Sequence, residues 1–458
     1  MFEWVAAQPL RFQPLYRGEA ECRSPSLTRS IRREPDHTYP LDRALINFTK
    51  SIILEFTVDA LEHTLEPLAY HIELRDFLKS QERDLWSWFA SARAQADYTE
   101  HLRMELLKST YRLDPASHPE LSACLEKVKD RLHLDIPITI YQAEQSSQLN
   151  ATLYFIPGEG HVVFTGPVLN LLHAGELQAV LGHELAHYHL SQWDHGELHV
   201  AERLLQAVAG DPRASASHEQ SARHFQLYTE IFADRGSLCV TDDLDPVVAG
   251  LVKMQTGLAQ VSAPAYLKQA EEIFAKEDLK GTTAASHPET FIRARALNLW
   301  HQHRNGADPQ IVRMIEGIGA LDDLDLLGQA RLARNTRRLL ENFLQPKWFQ
   351  TRAVLGHAKL FHDGFEPATT LDNSILDEFK SADPKLGEFV CYVLLDFATV
   401  DPELDDLPLA AALEFSRQLG LDAAFEKLAA RELKLKIRDV RKLKEQAAEL
   451  LAKAAAEL

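Results

Sequence analysis

Apolar residues recur three and four apart through much of this chain, which is the mark of amphipathic helices. The pattern is clear from about residue 41 to 112, in ALINFTKSIILEFTVDALEHTLEPL and RDFLKSQERDLWSWF, and again in LSACLEKVKDRLHL. The period then changes. IPITIYQA alternates and is rich in β-branched residues, so it predicts a strand. LNATLYFIPGEGHVVFTG predicts two strands around a Pro-Gly-Glu-Gly turn. AGELQAVLGHELAHYHLSQW returns to a long helix, residues 210–221 read as a polar loop, and HFQLYTEIFADRGSLCV is helical again. Beyond residue 310 the pattern is helix and loop, with acidic turns at Asp322–Asp325 and Asp401–Asp406. From Ala424 on, the Ala, Glu, Lys and Leu content predicts one long exposed helix, whose Leu spacing permits pairing with another chain and so a homo-oligomer.

These elements predict an α+β, mostly helical fold: a small sheet with a long helix beside it, N-terminal helices and an all-helical C-terminal domain. The expected divisions are 1–95 for an irregular arm (to about residue 40) and helical segment, 96–305 for a catalytic domain and 306–458 for a helical domain. The 458-residue length suits two or three domains. No run reaches the about 18 apolar residues that span a bilayer, and the N-terminus lacks the features of a signal peptide. The balance of 49 basic against 67 acidic residues gives a net charge of −18, which repels phosphate and argues against a nucleic-acid partner. Cys22, Cys124, Cys239 and Cys391 are dispersed and form no CxxC pair; they read as reduced thiols of a cytoplasmic protein.

The candidate chemistry lies in His183-Glu184-Leu185-Ala186-His187. Residues four apart on a helix project from one face, so the two imidazoles can take adjacent corners of a Zn²⁺ tetrahedron. Zinc brings the pKa of water at its open corner close to neutral, and Glu184 is placed to take the proton. Apolar Val180, Leu181, Leu185 and Ala186 bracket the motif, so these polar groups sit on a half-buried helix that needs a partner for them. A third ligand is still required. Glu230 and Asp234, also four apart, share a face of the next helix: one can ligate the metal and the other accept the N–H of a ligand imidazole. His189, His195, His199, His218 and His224 fit no better ligand set and read as solvated or loop residues.

HELAH followed by EIFAD resembles the gluzincin peptidases related to HtpX and the CAAX prenyl proteases, family forty-eight of the metallopeptidases. Asn150-Ala151 with the following hairpin and VVFTGPVLNLL, and Ser286-His287-Pro288 with Arg293, extend the resemblance over about residues 96 to 300. It implies zinc ligation by His183, His187 and Glu230, with Asp234 orienting His183. It implies that Asn150 and Ala151 offer a strand edge to a peptide or protein substrate. His287 or Arg293 would stand near the oxyanion of the tetrahedral intermediate; alternatively, His287 merely neighbours a helix cap and Arg293 pairs with Asp234 or Glu289. Many relatives are membrane-embedded and this chain lacks a spanning segment, which departs from the pattern. The C-terminal stretch around Asp396, Asp401, Glu403 and Asp405 is similar to the TerB-like tellurite-resistance module, although its turn lacks Asp-Gly. That resemblance implies a protein-interaction domain. Its acidic turn could bind a divalent cation, or Asp401 and Asp405 could simply cap helices. The expected activity is that of a zinc-dependent metalloendopeptidase, latent until triggered if the flanking helices cover the cleft. The alternative is a zinc-binding regulatory or scaffold protein acting through its C-terminal domain.

Overall fold

A computed structural model describes residues 65–456 apart from 145, 277–280, 285, 318–320, 371–373, 375, 377–378 and 380–383, and apart from the side chains of 92–98. The arm, the helical pattern over 41–64 and Cys22 lie outside the described residues. The architecture is α+β and mostly helical, with one small sheet.

The first helices are α1 (Ala69–Gln81), α2 (Arg83–Phe89) and α3 (Ala92–Ser109). A short strand, β1 (Thr110–Arg112), interrupts the helical reading of 41–112, because Thr110 to Arg112 pair antiparallel with β2 (Ile138–Ala143). Helix α4 (Pro119–Arg131) lies between them. The hairpin is β3 (Asn150–Ile156) and β4 (Glu159–Thr165), in register from Asn150↔Thr165 to Ile156↔Glu159. Its turn is the pair Pro157-Gly158, where Gly158 takes φ +86° at no steric cost; Glu159 and Gly160 already belong to β4. Strand β4 also pairs with β2 in parallel, giving the order β1-β2-β4-β3 and leaving β3 at an edge.

After the short α5 (Val168–Leu171) comes α6 (Ala174–Ala209). It bends sharply at Trp193 to Gly196, where Asp194, His195 and Gly196 all have positive φ, and then resumes. Arg75 on α1 holds the bend through an Nη1 to Asp194 Oδ2 contact of 2.6 Å. Helix α7 (Ala216–Thr241) begins inside the stretch expected to be loop. Its first turn is polar, but Ser217 and Ser221 are buried. Ser221 Oγ accepts the Leu326 amide at 2.9 Å, a long-range contact with no local signature.

The remaining helices are α8 (Leu244–Thr256), α9 (Ala263–Lys276), α10 (Thr290–His303), α11 (Asp308–Glu316), α12 (Leu326–Phe343), α13 (Arg352–Phe361), α14 (Pro384–Ala398), α15 (Leu407–Gln418), α16 (Asp422–Glu432) and α17 (Ile437–Ala456). Among the described residues two large hydrophobic cores form, with two small clusters around Tyr141 and Val248. The first runs from Leu65 to Leu327 and includes Leu74 and Leu78 of α1, both fully buried, so the 65–89 helices are built into it. The second runs from Leu339 to Val440. Helix α12 serves both, with Leu326 and Leu327 in the first core and Leu339, Leu340 and Phe343 in the second.

The single long helix expected from Ala424 is two helices, broken where Lys434 takes φ +54°. Its second part is not wholly exposed. Val440, Ala447 and Ala454, seven residues apart, are buried, and Leu443 and Leu451 pack on the second core. In the acidic turn, Asp401 caps by accepting the Glu403 amide at 3.1 Å, while Asp405 has φ +47° and follows that turn rather than capping a helix. Asp396 binds His357 Nε2 at 2.6 Å. No described helix is long and apolar enough to cross a membrane.

Candidate metal centre and catalytic site

The site is built where α6 and α7 cross. Both helices carry a glycine at the crossing. A Cβ on Gly182 would lie 2.3 Å from Val240 Cγ2, and one on Gly236 would lie 2.4 Å from Ala186 Cβ. A helical glycine costs roughly 1 kcal/mol relative to alanine, and here it allows the backbones to meet. Gly182 directly precedes His183, and Gly236 is two residues beyond Asp234. Close approach at these points brings the acidic face of α7 onto the HELAH face of α6. Ser237 Oγ adds a 2.8 Å bond to Ala179 O across the same crossing.

His183 Nε2 and His187 Nε2 stand 3.2 Å apart. Glu230 reaches both, with Oε2 3.5 Å from His183 Nε2 and Oε1 3.7 Å from His187 Nε2. All three donor groups lie within 4.8 Å of one another, and among the described residues they are the group of that kind that could hold a metal ion. Three further observations fit a cation there. Asp234 Oδ1 lies 3.1 Å from His183 Nδ1, so it accepts that N–H and leaves the Nε2 lone pair facing the other donors. Glu230 is buried, and its two oxygens are divided between the two imidazoles, Oε2 toward His183 and Oε1 toward His187. The donor set, two imidazoles and a carboxylate, is one that zinc takes.

Behind the ligands, Arg293 on α10 grips Asp234, with Nε to Oδ2 at 2.8 Å and Nη2 to Oδ1 at 2.5 Å, and places Nη1 3.2 Å from Glu230 Oε2. Burial by itself would raise Glu230, but Arg293, then His183, holds it well below the usual carboxylate range. Asp234 is lowered too: burial opposes this, and Arg293 prevails. Burial, and next the charge on His183, pushes His187 down to about 3. Burial pushes the Glu184 carboxyl up to about 7; His183 opposes the rise and Glu230 adds to it. That value suits a group that takes and returns a proton near neutral pH.

Of the other expected site residues, His287 is mostly exposed. Its Nε2 is 3.4 Å from Glu230 Oε1, and its Nδ1 is 2.9 Å from Ser286 Oγ. Asn150 and Ala151 open β3, and Asn150 Nδ2 donates to Thr152 Oγ1 at 3.2 Å. The backbone of Leu153 hydrogen-bonds to Glu184, which sets β3 against the motif helix.

Three of the histidines expected to be solvated are packed inside. His224 meets Asp325 Oδ2 at 3.2 Å, His189 Nε2 donates to Leu65 O at 3.1 Å, and burial pushes His199 down to about 4. Sequence reasoning also passed over His71 of α1. It is fully buried, with Nε2 3.2 Å from Thr229 Oγ1, the residue before Glu230. Its helical spacing with Leu74 and Leu78 was the available signal.

Comparison with known proteins bears on this region. Over 200 residues the chain is 30% identical to the plastoglobule-localized metallopeptidase 48, chloroplastic, of Arabidopsis thaliana. The match covers 40% of this chain and 56% of that protein, so the chain spans little more than half of the relative's length. No solved structure matches the chain. The description of peptidase family M48 matches residues 115–301, an interval that holds β2 to β4, both crossing helices and Arg293. Residues 115–301, the interval that holds the site, are thus similar to peptidase family M48.

Proposed function

We infer that the chain is a zinc-dependent metalloendopeptidase, with zinc held by His183, His187 and Glu230. The observation that carries this is the convergence of the His183 and His187 Nε2 atoms on the Glu230 carboxylate, all within 4.8 Å of one another. Bound zinc supplies a Lewis acid that polarises the scissile carbonyl and acidifies a water.

The chain's own groups do the rest. Glu184 takes a proton from water and returns it to the leaving amine. Asp234 holds His183 in its ligating tautomer, and Arg293 holds Asp234. The guanidinium has two carboxylates to satisfy, so Arg293 acts as a positioning residue. His287, mostly exposed and with Nε2 3.4 Å from Glu230 Oε1, is the one of the pair placed to turn from that contact to an oxyanion. A peptide in extended form adds to the free edge of β3 at Asn150 and Ala151.

The test is zinc content and peptide turnover of wild type beside Glu184→Gln and Glu230→Ala. About one zinc per chain in wild type and Glu184→Gln, lost in Glu230→Ala, with turnover only in wild type, supports the reading. Zinc without turnover in any form points instead to a zinc-binding scaffold, and a folded, metal-replete wild type without zinc overturns the ligand set.

A further inference from the structure

Tyr188 follows the ligand His187 and lies one helical turn beyond Glu184. It is almost wholly buried, yet its hydroxyl is not spent on the core. The ring lies against Phe155 of β3, with centroids 4.9 Å apart. The hydroxyl spans the tip of the β3–β4 hairpin. It accepts the Gly158 amide at 3.1 Å and donates to Ile156 O at 3.3 Å. The Gly158 amide lies in the two-residue turn, outside the ladder between Ile156 and Glu159, so the tyrosine supplies its partner. Gly160 makes room for this arrangement. A Cβ there would stand 3.3 Å from Tyr188 Cδ2 and 2.6 Å from Ile138 Cδ1.

A phenylalanine would fill the same space and bury the same ring. The hydroxyl does something burial does not require: it fixes the hairpin tip to the helix that carries both histidines. Together with the Glu184–Leu153 contact, it ties β3 to α6 at two levels, near the middle of the strand and at its end. The rest of the edge strand's position follows from β4, which is itself only seven residues long.

We propose that Tyr188 is a positioning residue that sets the distance between the substrate-binding edge of β3 and the metal centre, so that it governs productive peptide binding and not metal binding or proton transfer. This rests on the peptidase reading given above. The hydroxyl acts through backbone atoms of Ile156 and Gly158 and touches no ligand.

The test is Tyr188→Phe in the full chain, read by amide hydrogen exchange, zinc content and steady-state hydrolysis of denatured casein peptides. Loss of one ordinary hydrogen bond corresponds to about 5-fold in an equilibrium. Exchange at Gly158 and Leu153 is expected to rise by about 5-fold or more, with KM up by a similar factor and kcat, its pH profile and zinc content unchanged. Unaltered exchange along β3 overturns the proposal, and so does a fall in kcat or zinc with KM unchanged. Should Tyr188→Phe not fold, Gly160→Ala crowds the same ring as well as Ile138 Cδ1 and is expected to shift the same quantities in the same direction, with Ile138→Ala beside Gly160→Ala relieving the second clash and leaving the effect on the ring. If the wild type hydrolyses no peptide, the peptidase reading fails on its own, and the exchange data still decide whether Tyr188 holds the edge strand.

Discussion

Asp234→Ala separates metal orientation from structural charge pairing in one variant. The native carboxylate is 2% exposed, accepts from His183 Nδ1 at 3.1 Å and takes two bonds from Arg293. Its removal leaves a buried guanidinium with Glu230 as its remaining carboxylate, 3.2 Å away. Breaking a buried pair costs about 3–5 kcal/mol, and the surviving Glu230 contact puts the loss near the lower limit, about 3 kcal/mol. Loss of a group that orients a metal-bound histidine weakens metal affinity by about 10- to 100-fold. Urea unfolding of the metal-free protein reads the first quantity, and competition with a chromophoric zinc chelator reads the second. Adding Arg293→Leu should return much of the stability, because an apolar side chain replaces the stranded charge, but none of the zinc affinity. Zinc affinity within about 2-fold of wild type in a folded Asp234→Ala protein would refute the orienting role. A stability loss under about 1 kcal/mol would refute the account of Arg293.

Glu184→Gln should keep its zinc and lose about 100-fold or more in kcat, since the amide cannot take a proton; turnover close to wild type in a peptide assay would remove Glu184 from the proton path. Burial lowers His71 from 6.5 to about 3, so it stays neutral in the fold while the unfolded chain binds a proton below about pH 6.5. Stability is therefore lost as pH falls through that window, by about 2 kcal/mol from this group at pH 5, and His71→Leu should flatten the dependence in urea melts at pH 7.5 and 5. An equal pH slope in both proteins would exclude His71 as its source. Asp325 accepts from Tyr70 Oη at 2.6 Å, from His224 at 3.2 Å and from the Gly328 amide at 2.6 Å as the cap of α12. Asp325→Ala should cost about 2–4 kcal/mol and expose α12 to limited proteolysis; a variant as stable and protease-resistant as wild type would show that the three bonds carry no net energy.

Legibility in the sequence follows the distance over which a property is decided. The HELAH motif is decided within one helical turn, so its geometry could be read from spacing alone, and Tyr228 to Asp234 likewise offered two carboxylates on one face. Which carboxylate faces the histidines is decided by the rotation of α7 against α6. That rotation depends on Gly182 and Gly236 meeting Val240 and Ala186. The glycines were visible as two helix-weakening residues beside the motif, but their partners were not. The buried histidines escaped for the same reason: His224 is inside because Asp325, 101 residues away, receives it. The break at Lys434 has no residue signal at all, since Ala, Glu, Lys and Leu favour helix on both sides of it.

The charge balance of the site explains why its residues come as a set. Glu184, Glu230 and Asp234 can contribute three negative charges, and Arg293 contributes one positive charge, all of them buried or nearly so. Unpaired charge in low dielectric is expensive, and the site meets it with two further groups: against the effect of burial, Asp234 and then Glu230 hold His183 up to about 10, and burial pushes the Glu184 carboxyl up to about 7. In the reading proposed above, a divalent cation between His183, His187 and Glu230 would displace the His183 proton and take over its part of that balance, leaving both imidazoles neutral. Arg293 stands on the Nδ1 side of His183, gripping Asp234 with two nitrogens and reaching Glu230 with the third. The guanidinium thus offsets one buried carboxylate, and the same bond that does so fixes the acceptor that orients His183.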